Sequence, residues 1–268
     1  MNEADGDRPA GSLRRPPPPF RRVRVISTTR LSARMCRVTL GGHELQGFAV
    51  EQPAASVRVL LPPGGQDEFV LPEWAGNEFL LPGGGRPVIR TLTPRRFDPS
   101  GLELDVEVVV HDGGAASEWA TGVRPGDDAA VSGPARGYTI DADGRSFLLA
   151  GDETAIPAIG QLLDGLPSGL PVHAWIEIAT TDARLAMPAR SGATVDWLVQ
   201  PAGSLPGESL VQAVAGAELV SGVRVWAAGE AAAMQRIRRC LFEARSFSRQ
   251  HATVRGYWKH GRIGSDRE

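Results

Sequence analysis

The sequence predicts an antiparallel β-barrel followed by an α/β domain built on a parallel sheet. Up to about residue 135, short runs rich in valine and leucine are separated by clusters of glycine and proline, which is typical of an all-β domain. After Gly144, apolar strands alternate with helical stretches, and this alternation indicates a parallel sheet with helices on its faces. A length of 268 residues suits two domains of ordinary size.

The barrel is predicted from its β-type runs. One of them, at residues 102–108, alternates apolar and charged residues, and this period of two marks a strand with one solvated face. Residues 1–19 contain four consecutive prolines and no apolar core, so we expect a disordered or polyproline arm and no targeting signal. The predicted strands span residues 22–27, 35–40, 56–61, 87–93 and 102–111.

The α/β domain is predicted from apolar strands that alternate with helical stretches. We expect strands at residues 146–150, 172–178, 195–199 and 222–228, and helices at residues 155–166, 209–216 and 230–245. A last strand is expected from about residue 253 to residue 258. The expected division is an arm at residues 1–19, a barrel domain at 20–140 and an α/β domain at 141–268.

The composition argues against several classes of function. The formal net charge of −2 gives no electrostatic reason to expect nucleic acid or an anionic membrane as partner. No run approaches the roughly 20 apolar residues of a membrane span, so we expect a soluble, cytoplasmic protein. The five histidines lack metal-ligand spacing, so no metal site is predicted, and the Gly-x-Ser-x-Gly motif of many hydrolases is absent.

A strand, a glycine and a helix start follow one another at residues 147–157. Asp152 and Thr154 are candidates for the N-cap of this helix, and Pro157 suits its first turn. Such a turn presents unpaired N–H groups and the positive end of a helix dipole, which bind phosphate or another anion. The alternative is a turn without a ligand, which is common in α/β proteins.

The end of the predicted strand at residues 87–93 carries an arginine and a threonine three residues apart. Arg90 offers a planar fork for phosphate oxygens, and the Thr93 hydroxyl can hydrogen-bond a ring nitrogen of the same long ligand. The alternative is an exposed strand end with ordinary surface arginines.

A second anion-binding turn is predicted after the strand that ends at His111. Gly113 and Gly114 allow the backbone to approach a ligand closely, and Ser117, in the helix that follows, can add a hydroxyl. The alternative is a glycine-rich turn before a short helix. His111 by itself is better explained as a hydrogen-bonded residue at a strand end than as an acid or base.

Two further features lie near the C-terminus. Gly229 and Glu230 form another transition from a strand through a glycine to a helix. The last predicted strand carries aromatic residues and is followed by Lys259, the only lysine of the chain. This end of the chain can line a pocket for a flat or anionic ligand.

Together these features resemble the ferredoxin-reductase-like flavoproteins and, among them, the siderophore-interacting protein family of FAD-dependent ferric-siderophore reductases. The resemblance covers about residues 20–262. It implies an FAD-binding barrel, a Rossmann-like nucleotide-binding domain and NAD(P)H as electron donor. The residues that carry it are 90–93, 111–120, 131–137, 151–159, 226–230 and 256–258.

The resemblance also implies roles for the matched positions, with Arg90 on the FAD pyrophosphate and Thr93 near the isoalloxazine. The residues expected to bind FAD are Arg90, Thr91, Leu92, Thr93, His111, Gly113, Gly114, Ala116 and Ser117. Those expected to meet the nicotinamide dinucleotide are Gly151, Asp152, Thr154, Gly229 and Glu230. The basic residues expected around the substrate mouth, where they attract anionic ferric siderophores, are Arg58, Arg136 and Lys259.

The activity implied is electron transfer from NAD(P)H through the flavin to Fe(III) held by a siderophore, with release of the iron as Fe(II). No acid–base residue is needed, and none is predicted to be catalytic. The chain departs from the family at two places. Leu92 stands where a tyrosine usually stacks on the flavin, and Gln200 and Pro201 replace a basic residue or histidine that relatives carry, which weakens any expectation that the 2′-phosphate of NADPH is recognised there.

Two other functions stay open at this point. One is a flavin reductase or electron-transfer component that serves a partner enzyme, which would share the fold and the flavin site. The other is a non-enzymatic module that binds a siderophore, to which the leucine at position 92 points. Reduced ferredoxin is an alternative electron donor.

Overall fold

The computed structural model describes residues 16–62 and 69–261, so residues 1–15 of the predicted arm lie outside the described residues. Seven strands of the first half form one antiparallel sheet that curls into a half-barrel, and two short strands form a separate hairpin. The elements of this half are β1 (Arg21–Ser32), β2 (Met35–Gly41), β3 (Val57–Leu60), β4 (Glu73–Trp74), β5 (Phe79–Leu80), β6 (Ile89–Leu92), β7 (Pro94–Asp98), β8 (Glu103–Val109), α1 (Ala115–Gly122) and β9 (Asp128–Ser132). The strand order in the half-barrel is β6-β3-β9-β1-β2-β8-β7, and β4 pairs with β5.

The second half forms a five-stranded sheet in which all neighbouring strands are parallel. Its elements are β10 (Ser146–Asp152), α2 (Ile156–Gly165), β11 (Val172–Ile178), β12 (Ala193–Val199), α3 (Glu208–Gly216), β13 (Val223–Glu230), α4 (Ala231–Arg239), a π-helical turn (Cys240–Ala244) and β14 (Ala252–Trp258). Among the described residues, no helix is both long enough and apolar enough to cross a membrane.

This architecture confirms the predicted fold class, an antiparallel barrel followed by a Rossmann-like parallel sheet. The strand order in the parallel sheet is β12-β11-β10-β13-β14, so the chain runs outward from β10 in one direction and then returns to its other side at β13. Ligands of open α/β sheets bind outside the carboxyl ends of the strands at such a reversal. The turns at Gly151 and Gly229 lie at this place.

The parallel strands are apolar on both faces because helices or the barrel cover each side. Leu149 and Trp226 pack into a core shared with α2, whereas Leu148 and Val225 pack into a core shared with α3 and α4. The first of these cores also contains Met35 from the barrel. The apolar core of the α/β domain therefore includes a buried side chain of the barrel.

Polar contacts join the barrel to the start of the α/β domain. The Arg34 guanidinium, in the turn between β1 and β2, pairs with the Glu153 carboxylate at 2.8 Å. On α2, Asp164 pairs with Arg95 of β7 at 2.9 Å. These contacts hold the first helix of the α/β domain against the barrel and position the turns that lie between the two sheets.

Candidate functional site

The turn between β8 and α1 is closed by its own residues. The His111 N–H donates to Ser117 Oγ at 2.9 Å, and the Ser117 hydroxyl donates back to the His111 carbonyl oxygen at 2.7 Å. Ser117 is buried, with 3% of its surface exposed. The hydroxyl expected to contact a ligand is therefore used to hold the strand end against the first turn of the helix.

The N-terminus of α1 presents unused donors. The N–H groups of Ala115, Ala116 and Ser117 have no acceptor within residues 16–62 and 69–261. The His111 ring lies directly over Gly114, where an added Cβ would be only 2.5 Å from the ring carbon Cε1. These N–H groups and the positive end of the helix dipole suit an anion such as phosphate.

A cleft of about 440 Å³ adjoins this turn, and its charged lining residues are two arginines and two carboxylates, Asp112 and Glu118. Arg30 and Arg34 contribute to its walls together with His111, Gly113 and Ser117. Arg34 also forms the ion pair with Glu153, so this wall of the cleft is fixed to the α/β domain. Neither arginine was predicted as a site residue, since nothing in the local sequence of the β1–β2 hairpin distinguishes them from surface arginines.

Residues 90–93 form the edge of the half-barrel and lead into β7. In β6, Thr91 lies opposite Arg58 of β3. The Leu92 side chain packs against the apolar core of the barrel. Arg90 Nη1 donates to the Ile89 carbonyl oxygen at 2.8 Å. Arg90, Thr91 and Leu92 therefore lie in the outermost strand of the half-barrel sheet, and the Leu92 side chain faces partly into the barrel interior.

Tyr257 of β14, one of the aromatic residues in the strand expected to line a pocket, lies at the end of this edge. Its hydroxyl lies next to the Thr93 side chain, and its ring meets the Trp226 ring edge-on at 6.5 Å. Burial raises the pKa of the Tyr257 hydroxyl, and the Thr93 contact opposes this effect. Thr93, expected to approach the isoalloxazine, is itself 7% exposed.

Asp152 accepts hydrogen bonds on both carboxylate oxygens at the end of β10. Its Oδ1 accepts from the N–H and the hydroxyl of Thr154, at 2.9 and 2.5 Å. Its Oδ2 accepts from the Glu230 N–H at 2.8 Å and from Trp258 Nε1 at 2.7 Å. Burial raises the pKa of Asp152, and the four hydrogen bonds favour its charged form and so oppose that shift.

Three glutamates near the same edge of the sheet also accept hydrogen bonds from backbone N–H groups. Glu153 accepts the Ala179 N–H in addition to its pair with Arg34, and Glu230 accepts the Ala233 N–H and so caps α4. Glu177 accepts the N–H groups of Gly207 and Ser209 at the start of α3.

Several N–H groups at the turns after β10 and β13 therefore donate to carboxylates of the chain itself. The N–H groups at the start of α1 have no such acceptor among the described residues. The assignment of Gly151, Asp152, Thr154, Gly229 and Glu230 to a nicotinamide dinucleotide stays a prediction.

The three cations predicted for the substrate mouth lie on neighbouring segments. Arg58 of β3 is opposite Ser132 of β9, and the chain continues from Ser132 to the exposed Arg136. Arg255 of β14 donates to the Gly137 carbonyl oxygen at 3.4 Å, which brings the strand that leads to Lys259 beside Arg136. Convergence of Arg58, Arg136 and Lys259 on one substrate stays a prediction.

Comparisons with known proteins cover nearly all of the chain. Residues 24–138 match the siderophore-interacting FAD-binding domain, and residues 144–261 match the siderophore-interacting protein family. A siderophore utilization protein from T. fusca is 34% identical, with a TM-score of 0.82 over 93% of this chain and 96% of that chain.

Two curated relatives carry names that state an activity. An Escherichia coli NADPH-dependent ferric-chelate reductase is 26% identical over 89% of this chain and 92% of its own length. The Vibrio cholerae ferric vibriobactin reductase ViuB is 27% identical over 87% of this chain and 86% of its own length.

Proposed function

This chain belongs to the siderophore-interacting protein family, and we propose that it is an FAD-dependent reductase of ferric siderophores that takes its electrons from NAD(P)H. The two relatives named as ferric-chelate and ferric vibriobactin reductases support this proposal, because each aligns with most of this chain.

The observation that carries the proposal is the N-terminus of α1, whose N–H groups have no acceptor among the described residues, beside a cleft whose lining includes Arg30 and Arg34. Helix N-terminal N–H groups and cations are the groups that bind the pyrophosphate of a dinucleotide. Gly114 has no side chain to block this approach, and Arg90 lies on the barrel edge that carries the flavin motif. The residues present therefore fit FAD, and we propose that Arg90 and the turn at residues 113–117 hold its phosphates.

When bound, FAD supplies the exchange of electrons between a two-electron nicotinamide donor and Fe(III), which accepts one electron. The chain itself binds and orients. The contact between Thr93 and Tyr257 fixes the barrel edge next to the proposed isoalloxazine position. No side chain has to donate or accept a proton for the iron to be reduced, so the proposal assigns no catalytic acid or base.

The proposed role of Arg58, Arg136 and Lys259 is attraction of the substrate, a ferric siderophore with anionic ligands. Cations around an opening raise the local concentration of an anionic ligand. After reduction, iron carries one charge less and is held less strongly by hard, anionic oxygen ligands. Release of Fe(II) therefore follows from the reduction and needs no further residue.

The proposal includes a nicotinamide dinucleotide as donor and the cytoplasm as location, since that compartment supplies NADH and NADPH. Gln200 offers no cation for a 2′-phosphate, and its side chain donates to the Ser204 carbonyl oxygen at 2.9 Å. We therefore leave both nucleotides within the proposal, with reduced ferredoxin as the alternative donor to be compared.

The test is an anaerobic titration of the purified, FAD-loaded protein. We expect a flavin absorbance spectrum that bleaches with NADH or NADPH and recovers when a ferric siderophore is added, with Fe(II) trapped by a coloured chelator. A protein that retains no FAD after desalting would instead be a binding module. An FAD-loaded protein that reduces a partner protein but no ferric chelate would be an electron-transfer component.

A further inference from the structure

The end of β14 and the residues after it are held at two points by buried carboxylates. Trp258 Nε1 donates to Asp152 Oδ2 at 2.7 Å, and the His260 N–H donates to Glu230 Oε1 at 3.1 Å. We call residues 258–260 the terminal segment. Lys259 lies between these two points, is exposed, and forms no ion pair with any residue of the described ranges 16–62 and 69–261.

The first carboxylate is held rigidly in place. Asp152 is 7% exposed, and Thr154 and the Glu230 N–H occupy its remaining acceptor positions. The close approach depends on Gly229, because a Cβ there would lie 2.5 Å from Asp152 Oδ2. Asp152 therefore cannot turn away from Trp258 without losing other hydrogen bonds.

The second carboxylate, that of Glu230, also accepts hydrogen bonds on both oxygens. Glu230 is 3% exposed, and its Oε2 accepts the Ala233 N–H at 2.8 Å while Oε1 accepts the His260 N–H. Glu230 thus joins the start of α4 to the terminal segment. With both neighbours of Lys259 fixed, the backbone at Lys259 has little freedom to lose when its ammonium group meets an anion.

We propose that Asp152 and Glu230 are positioning residues that hold the terminal segment so that Lys259 projects toward the anionic ferric substrate. This inference rests on the proposed function, in which Lys259 attracts that substrate. It assigns to both carboxylates a role that acts through the terminal segment and not through direct contact with a nicotinamide dinucleotide.

The variant Trp258→Phe tests the inference, because it keeps an aromatic ring and removes the N–H that Asp152 accepts. With ferric dicitrate as the anionic substrate, we expect KM to rise about two- to fivefold, the range that corresponds to loss of one exposed ion pair. We expect unchanged kcat, an unchanged rate of FAD reduction by NAD(P)H, and an unchanged KM for neutral ferric tris(maltolate). The rise should shrink at high ionic strength.

Three further variants complete the design. Lys259→Ala should raise KM for ferric dicitrate but not for ferric tris(maltolate). The double variant with Trp258→Phe should show no additional rise, since both changes remove the attraction of the anionic chelate by Lys259. Trp175→Phe, the same chemical change on β11, is the matched control and should leave both KM values unchanged.

The inference is overturned if Trp258→Phe leaves KM for ferric dicitrate unchanged, raises KM for both chelates, or slows FAD reduction. It is also overturned if Lys259→Ala has no charge-selective effect. Failure of the proposed function would look different, because the wild-type protein would then reduce neither chelate.

Discussion

The Tyr257 hydroxyl, in β14, lies next to the side chain of Thr93 between β6 and β7. Thr93 is one of the residues expected to approach the flavin, and it is buried beneath this contact. The edge of the proposed flavin pocket is therefore fixed by the α/β domain as well as by the barrel. Changes in β14 should consequently affect FAD binding.

We expect Tyr257→Phe to lower both stability and FAD affinity. The ring volume is kept, but the hydroxyl beside Thr93 is lost, so the buried polar Thr93 side chain would face an apolar ring, at a cost of about 1–3 kcal/mol. Thermal unfolding of the FAD-free protein and a fluorescence titration with FAD measure the two effects. Tyr138→Phe is the matched control, because Tyr138 is also half-buried and no hydrogen bond to its hydroxyl is made by the described residues. A variant indistinguishable from wild type in both assays would contradict the role of this contact.

The stability difference between wild type and Tyr257→Phe should narrow at alkaline pH. Burial raises the pKa of Tyr257 in the folded protein, whereas an unfolded tyrosine loses its proton near pH ~10. Above that pH the unfolded chain binds fewer protons than the folded one. The contribution of Tyr257 to the free energy of unfolding is therefore fully present below that pH and decreases as the pH rises above it. Urea unfolding of both proteins at neutral and alkaline pH measures this contribution. A difference in the free energy of unfolding that stays constant with pH would argue against a raised pKa of Tyr257.

Arg90→Ala should weaken FAD binding by about tenfold or more, since a hydrogen bond between charged groups contributes roughly 1.5–3 kcal/mol. The fold should remain intact, because Arg90 lies at the edge strand of the half-barrel. Arg86→Ala is the matched control. Arg86 is a nearby exposed arginine that pairs with Glu78 at 2.9 Å. Equal FAD retention in the two purified variants would remove Arg90 from the flavin site.

Gly114→Ala should reduce FAD affinity without loss of fold. The backbone of Gly114 has φ −108° and ψ 124°, which alanine adopts without strain. Its Cβ would however lie 2.5 Å from His111 Cε1 and so force the ring to move over the N-terminus of α1. Gly122→Ala, in the same helix and with no atom within 4 Å of an added Cβ, should leave FAD affinity unchanged.

A second substitution tests whether the ring displacement is the cause. His111→Ala removes the ring. The single variant His111→Ala and the double variant with Gly114→Ala should therefore bind FAD equally well. If Gly114→Ala still weakened binding there, the added methyl group itself would be the obstacle, and the position of the His111 ring would have no part in the loss.

Much of the fold could be predicted because the apolar pattern of a strand is local. The expected strand at residues 172–178 has the bounds of β11, and the strand-to-helix turns at Gly151 and Gly229 lie at the reversal of strand order. Strands β7 and β9 were not predicted. Strand β7 begins with Pro94 and is largely charged, and β9 carries small residues, so both owe their conformation to pairing with neighbouring strands.

The site was less predictable because its contacts join distant parts of the chain. Glycines and helix caps identified the turns, but the sequence did not indicate which N–H groups remain free. The carboxylate of Asp152 satisfies the N–H of Glu230, while the N–H groups at the start of α1 have no such partner in the described part of the chain. The predicted helix at residues 230–245 likewise ends as an α-helix at Arg239 and continues as a π-helical turn.

Arg136→Ala should raise KM for an anionic ferric chelate and leave KM for a neutral one unchanged. Arg136 is exposed and lies next to Gly137, whose carbonyl oxygen accepts from Arg255, so its charge adds to a cationic surface beside β14. Exposed charges act over a screening distance of about 8–10 Å, and the effect should therefore diminish as salt is added. Arg124→Ala is the matched control, because Arg124 is also exposed but precedes β9, whereas Arg136 follows it. Steady-state reduction of ferric dicitrate and ferric tris(maltolate) at low and high ionic strength measures both variants. Equal changes for the two chelates, or equal changes in the two variants, would show that Arg136 does not act as a substrate-attracting charge.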